Sequence, residues 1–275
     1  MKLTKALFFK TILIAPIAFF AAVYVIGVIV ISQDDRVASP LTEKPSAPET
    51  IAIFGASGTA GDGILKAAMA SDDIDTIYVV TRRVTPRIEA GIKIGKVIAR
   101  KHMDYLNYDA VIKDFADVNA VYWAIGINSL GVDEKTYAMI HVEFPIAFVK
   151  AWSKVSKQNE ISFHYISSSD ISDESTAMWA REKRRAEKSL FAFAENSKMR
   201  VIAYRPDYIG PTEEESHLGQ EILYGFFKPV GAAVRAEQIG QAMIEVTARN
   251  QEFGNSDKLH TRKIIRYSDA YELRQ

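Results

Sequence analysis

The sequence predicts an α/β domain in which a doubly wound parallel sheet carries a small C-terminal cap, with a transmembrane helix ahead of it. Three observations predict this. Thr11 to Ile31 is a run of 21 residues without a charge. From Thr50 onward, short apolar runs alternate with amphipathic stretches, the pattern of strand and helix in turn. A glycine-rich turn, Gly55-Ala56-Ser57-Gly58-Thr59-Ala60-Gly61, joins the first such run to the first such stretch.

As a helix the N-terminal run would be roughly 31 Å long, about the thickness of a bilayer's hydrocarbon core. Lys2, Lys5 and Lys10 precede it, and Asp34, Asp35 and Arg36 follow it. A signal peptide has a shorter apolar core and a small-x-small cleavage site. Here the core is longer and Val30-Ile31-Ser32-Gln33 makes a poor cleavage site, which favours an uncleaved, single-pass anchor over residues 1–31. The lysines would hold the N-terminus in the cytoplasm and put the domain across the membrane. Arg36 and Lys44 weaken that bias, and Pro16 allows a re-entrant hairpin, so the side that carries the domain stays open. Residues 32–49 hold Pro40, Pro45 and Pro48 among Ser, Thr and charges, and read as a linker. Residues 50–275 are then one domain.

The composition excludes several classes. Lys+Arg and Asp+Glu number 34 each, so no net field attracts nucleic acid, and no nucleic-acid partner is expected. There is no cysteine, which removes disulfides, thiolate metal sites and a thiol nucleophile without identifying a compartment. His102, His141, His164, His217 and His260 are scattered, with no HxxxH or HxH pair, so no metal site is expected.

Thr50-Ile51-Ala52-Ile53-Phe54 suits a buried parallel strand, and the helical stretch Ile64 to Ala70 follows the glycine turn. Gly55 permits the tight turn, Gly58 lets the backbone approach a pyrophosphate, and Gly61 lets helix and strand pack closely. Ser57, Thr59 and Ala60 complete the loop, at a helix N-terminus whose partial positive charge faces the phosphates. This is the Rossmann-type arrangement for a dinucleotide. The second strand, Thr76 to Val80, runs into Thr81-Arg82-Arg83, where an NAD site usually carries an acidic residue. An arginine there suits a 2′-phosphate, so NADP(H) is favoured over NAD(H), with Arg82 the first candidate and Arg83 the second. Lys96 to Ala99 reads as a third strand, after which Asp104 is placed to meet the adenine amino group. Ala120 to Gly126 reads as a fourth, with Ala124, Ile125 and Gly126 at the carboxyl edge of the sheet. Phe144 to Trp152 is helical. Ile161 to Ile166 is a fifth strand ending in Ser167-Ser168-Ser169, and Arg200 to Tyr204 a sixth.

From about Thr50 to Thr247 the chain resembles the atypical short-chain dehydrogenase/reductases, and within them the NAD(P)H-binding, NmrA-like and Tat-interacting oxidoreductase-like group. The GxxGxxG turn at Gly55, the fourth-strand loop Ala124 to Gly131, the serines after the fifth strand, and Arg205-Pro206-Asp207-Tyr208-Ile209-Gly210-Pro211 carry the resemblance. It implies that Pro206 borders the cofactor. It also implies a Tyr-x-x-x-Lys pair with a serine: the tyrosine exchanges the proton, the lysine lowers its pKa and holds the ribose, and the serine orients the substrate oxygen. The matching stretch here is Trp179-Ala180-Arg181-Glu182-Lys183, with Ser168 as the serine. Lys183 is retained, four residues on along one helix face. Trp179 stands where the family has tyrosine, and an indole N–H donates a hydrogen bond but exchanges no proton near neutral pH. Three explanations remain: a silent cofactor-binding or sensing module, another proton donor such as Tyr122, Tyr165 or Tyr208, or chemistry that needs no tyrosine. Lys183 also lies in a charge run, Arg181 to Arg185, that suits a solvated helix face, and Trp179 suits the core as well as a ligand.

The substrate-side cap is placed around residues 205–275. Pro211 to Gly231, with Leu218, Ile222, Leu223, Phe226 and Phe227, reads as a packed helix, a lid, a partner surface or a membrane-facing patch. Ala236 to Val246 is an amphipathic helix, and Ile264-Ile265-Arg266-Tyr267 is expected to form a last edge strand. The leading expectation is an NADP(H)-dependent oxidoreductase acting on a small carbonyl or alcohol. The alternatives are a silent NADP(H) sensor with a protein partner, and a scaffold that binds no nucleotide.

Overall fold

The computed structural model describes residues 2–34, 38–39 and 49–275, with side chains from Ile17 onward. Most of the expected linker 32–49, including Pro40, Pro45 and Pro48, lies outside the described residues. So do the side chains of Lys2, Lys5 and Lys10.

The main sheet is built from strands β1 (Thr50–Phe54), β2 (Thr76–Thr81), β3 (Val97–Lys101), β4 (Ala120–Trp123), β5 (Ile161–Ile166), β6 (Met199–Arg205) and β9 (Asp257–His260). Their spatial order is β3-β2-β1-β4-β5-β6-β9, and every pairing is parallel. The direction of winding reverses between β1 and β4, where open α/β sheets take ligands at the carboxyl ends of the strands. A short second sheet pairs β7 (Tyr208–Gly210) with β8 (Ala233–Arg235).

Alternate residues of β1 supply the two faces. Ile51 and Ile53 join a core with Ile64, Leu65, Ile239 and Ile264, under helices α2 (Thr59–Ala70), α8 (Ala236–Ala248) and α9 (Thr261–Arg274). Ala52 and Phe54 join the opposite core with Trp123, Phe148, Trp152, Phe163 and Leu190, under α5 (Phe144–Val155) and α6 (Met178–Ala194). Helix α3 (Pro86–Lys93) flanks β3, and the short α4 (Glu134–Ala138) leads into a π-helical turn, Met139–Glu143.

Of the stretch 205–275, only Pro206 to Arg235 leaves the main sheet; it contains β7, β8 and helix α7 (Leu218–Phe227). From Ala236 the chain returns to the main layers. The edge strand expected at Ile264–Tyr267 is not there. Those residues lie in α9, and the edge strand is β9, immediately before it. Buried Ile264, Tyr267 and Tyr271 recur at helical spacing, and that spacing overrides the short β-branched pair Ile264-Ile265.

Helix α1 runs from Lys2 to Ser32. It passes through position 16 without a break, so no hairpin forms at Pro16. Among the described residues no helix is long and apolar enough to cross a membrane, and the expected span Thr11–Ile31 is not shown. From Ile17 to Val30 its apolar side chains are largely exposed.

Candidate functional site

The site begins at the turn after β1. Gly55 has φ +84°, and a Cβ there would lie 2.6 Å from the Ala124 carbonyl carbon. A Cβ at Gly61 would lie 2.1 Å from the Gly55 oxygen. Both positions are closed to any side chain by the protein itself. Gly58 differs: its Cβ direction meets only the Gly55 oxygen, at 3.6 Å. Its missing side chain leaves room for a ligand rather than for the fold. Gly58 is also the N-cap of α2 and supplies no side-chain cap, so the first amides of that helix are open to an anion.

Two adjoining cavities meet at this turn. The first, about 320 Å³, is lined by Ser57, Gly58, Thr59, Arg83, Arg87 and residues of the 211–220 segment. Arg87 sits on the first turn of α3, which Thr85 caps and Pro86 opens. It pairs with Asp62 at 2.8 Å. Arg83 lines this cavity and Arg82 does not. Consecutive residues leaving a strand point opposite ways, and Arg82 lies beside Tyr105, where its charge opposes the upward push of burial on that phenol. Asp104 lines neither cavity: its Oδ1 accepts from the Leu106 amide at 3.0 Å and closes a local turn.

The second cavity, about 680 Å³, is lined by Ala124 and Gly126 after β4, Ser167 and Ser168 after β5, Trp179 and Lys183 of α6, and Tyr208. It shares Gly58, Thr59 and Gln220 with the first, so one groove runs along the carboxyl edge of the sheet. Ile125 and Pro206, expected at the cofactor, line neither cavity. Ile125 packs against the α5–α6 core, and the Pro206 carbonyl accepts from the Ser169 amide at 3.2 Å, holding the serine loop.

Lys183 is buried, not a solvated member of a charge run. Its Nζ donates to the Ile166 carbonyl at 2.8 Å and stands 4.9 Å from the centre of the Tyr165 ring. Burial lowers its pKa from 10.5 to about 7, against the opposing charge of Glu187. Glu187 is itself paired with Arg205 at 2.5 and 2.9 Å, which ties α6 to β6 one turn beyond the lysine. Trp179, four residues earlier, is half-buried against the same cavity rather than in the core. Ser167 Oγ is buried with no hydrogen-bond partner among the described residues.

The tyrosines sort cleanly. Tyr122 lies under α8, its hydroxyl 3.1 Å from Thr247, and Tyr165 donates to the His141 carbonyl at 3.0 Å. Neither reaches the cavity. Tyr208 does, and so do two residues the sequence reading passed over, Tyr137 and His141. Their rings lie 4.1 Å apart. Burial, then the charge of Glu182, pushes Tyr137 up to about 12. Burial, then the charge of Lys183, pushes His141 down to about 2, so the ring is neutral. Its Nε2 lies 3.3 Å from the Ile127 amide, while Nδ1 is buried with no hydrogen-bond partner among the described residues. The i, i+4 spacing of Tyr137 and His141 was visible in the sequence, but the π-helical turn that aims them inward was not.

The glycine cradle, the uncapped helix N-terminus and the orphaned Ser167 hydroxyl together fit a dinucleotide. Among the described residues no group of three or more His, Asp or Glu is placed to hold a metal ion.

Comparison with known proteins gives the fold. No family model matches the chain. Among solved structures, a short-chain dehydrogenase/reductase from Serratia marcescens superposes with a TM-score of 0.61 at 14% identity, over 78% of this chain and 97% of that one. A 3-oxoacyl-[acyl-carrier protein] reductase from Brucella melitensis gives 0.60 at 16%, over 80% and 97%. UDP-glucuronic acid 4-epimerase from Bacillus cereus, in complex with NAD, gives 0.59 at 14%, over 77% of each. The chain therefore has the Rossmann-type fold of the short-chain dehydrogenase/reductase structures. A curated relative, Leucinostatins biosynthesis cluster protein T of Purpureocillium lilacinum, is 23% identical over 172 residues, 62% of this chain. The chain spans 61% of the length of that relative.

Proposed function

We propose that this chain is a membrane-anchored, NADP(H)-binding oxidoreductase of the atypical short-chain dehydrogenase/reductase kind, acting on a small carbonyl or alcohol. The continuity of the groove carries this reading: the glycine turn and Lys183 lie on one surface, joined through Gly58, Thr59 and Gln220. The amides of Ser57, Thr59 and Ala60 would take the pyrophosphate, and Ala124 and Gly126 would floor the nicotinamide half. Arg83, beside Arg87, is the candidate for a 2′-phosphate, which is the reason for preferring NADP(H). When bound, the cofactor supplies or accepts a hydride.

The chain's own groups supply the rest. Lys183, with a pKa near 7, donates to ribose hydroxyls. Ser168 donates to the substrate oxygen. Trp179 donates a hydrogen bond from its indole but no proton. Among the residues lining the second cavity, Tyr208 and Tyr137 carry phenol protons, and Tyr208 is the less buried of the two. A silent NADP(H)-sensing module is the second reading, and Trp179 is the observation in its favour. The anchor rests on the uncharged run Thr11–Ile31 and on the exposed apolar side chains of α1.

The test is a titration of the purified full-length chain in detergent with NADPH and NADH, followed by a screen of aldehydes and ketones for NADPH oxidation. Binding with turnover supports the oxidoreductase. Binding without turnover of any carbonyl supports the sensor. No binding by folded protein overturns both. Extraction of the chain from membranes by alkaline carbonate would overturn the anchor.

A further inference from the structure

Helix α7 has two unlike faces. Tyr224 is buried, Gln220 lines both cavities, and Glu221 is turned inward onto Arg235, with two contacts of 2.7 Å. Opposite them, Leu218, Ile222, Leu223 and Phe226 are 79%, 63%, 46% and 55% exposed. At about 100° per residue these four span an arc of roughly 140° that contains no charged side chain. A helix packed only as a lid would show a polar outer face. The packed-helix expectation for this stretch thus holds for one face of α7 only.

The exposed face does not end at the helix. The Tyr24 ring of α1 stacks on Phe226 with centres 5.1 Å apart, and its hydroxyl donates to the Phe226 carbonyl at 2.9 Å. Beyond α7, Val230 packs against Gly27, and Ile31 lies over Gly231. Asp34, just past the end of α1, pairs with Arg262 of α9. Exposed Phe20 and Val23, on the side of α1 that carries Tyr24 and Gly27, therefore continue the apolar surface of α7, and Phe19, Ile26 and Val30 extend the exposed apolar surface around α1.

We propose that α7 lies in the surface of a lipid bilayer, with its Leu218–Phe226 face among the outer acyl chains and its Gln220–Tyr224 face forming the groove wall. This rests on the anchor reading of α1. The depths agree. Tyr24 lies seven residues, roughly 10 Å, before the end of the apolar run at Ile31. An interfacial helix buries its apolar face about 5–10 Å deep. The contact with Tyr24 thus sets α7 where an interfacial helix belongs. A second copy or a protein partner covering α7 would leave the adjoining α1 surface bare, whereas a bilayer covers both.

The native chain has no cysteine, so single labelling sites are clean. The full-length chain is reconstituted in phosphatidylcholine vesicles with an environment-sensitive fluorophore on Leu218→Cys or Ile222→Cys. Controls carry it on Phe20→Cys of α1 and on Lys188→Cys of α6. The expected result is blue-shifted emission at 218 and 222 that is lost with brominated-chain phosphatidylcholine, and none of this at 188. Emission at 218 and 222 that stays water-like while position 20 is quenched overturns the proposal and leaves the anchor standing. A blue shift without bromolipid quenching means a protein covers α7, and also overturns it. No quenching at 20, 218 or 222 overturns the proposal and the anchor reading together.

Discussion

At the glycine end of the groove, seven consecutive residues make the turn that floors it, and their shape is set by backbone packed on backbone. At the Lys183 end, the lining side chains come from loops and helices spread between Ala124 and Gln220. The first end tolerates no added atom at Gly55 or Gly61, because the obstructing atoms are main-chain atoms that cannot turn aside. The second end holds a tryptophan where the resembled family has a tyrosine, and the helix, the lysine beside it and the cavity remain. A site made of main chain is coupled to folding. One made of side chains can change its chemistry while the fold stays.

Substitutions should separate the two ends, and the largest effect is expected at the glycine end. Gly61→Ala places a Cβ 2.1 Å from the Gly55 oxygen. We expect a loss of about 3 kcal/mol or more in denaturant unfolding, together with loss of nucleotide binding. A Gly61→Ala chain as stable as the native one would break the comparison.

Lys183→Met comes next and should act on chemistry instead. NADPH-dependent turnover should fall by roughly 10²- to 10⁴-fold, measured with any substrate the screen yields. Stability should behave in the opposite way. The folded lysine has a pKa of about 7 against an ordinary 10.5, so between these values the unfolded chain binds more protons. The burial cost is fully present below pH 7, and the native state gains stability as pH rises from 7 to 10.5. Lys183→Met should flatten that rise and unfold no more easily than the native chain at pH 7. His141 acts in the same direction at lower pH. Its folded value of about 2 lies below an ordinary 6.5, so stability is present above 6.5 and declines as pH falls below it.

Trp179→Tyr sharpens the comparison from the other side. Restoring a phenol four residues before Lys183 should raise turnover by about 10²-fold and change stability by less than about 1 kcal/mol. Unchanged turnover would place the proton source elsewhere, with Tyr208 first. The smallest effect is at Arg83. Arg83→Ala should weaken NADPH binding by roughly 10-fold and leave NADH binding nearly unchanged, read from the two titrations. An equal loss for both would shift the 2′-phosphate assignment to Arg87.

The order of strands and helices was legible because each leaves a local trace. Thr50–Phe54, Ile161–Ile166 and Arg200–Tyr204 are apolar runs of strand length, and the glycine spacing marks the first turn. Ile264–Tyr267 misleads as sequence, because two adjacent β-branched residues mask a helical period. The second half of the site was legible only in part. Tyr122, Tyr165 and Tyr208 are alike as sequence, each in or beside an apolar strand. Which one faces the cavity depends on the parity of the strand and on what packs over it. Tyr137 and His141 were passed over because only the π-helical turn shows that they converge.

The sequence by itself determined the α/β alternation, the glycine turn, the uncharged N-terminal run and the replacement of a phenol by an indole at residue 179. Each is a property of neighbouring residues, since turn geometry, helical period and side-chain chemistry need no distant partner. Only the tertiary structure decided that Lys183 is buried with its pKa near 7, that Arg83 rather than Arg82 lines the groove, and that α7 turns an uncharged face outward beside α1. Burial, facing and shared surface are relations between segments far apart in the chain, and they exist only once the sheet has brought those segments together.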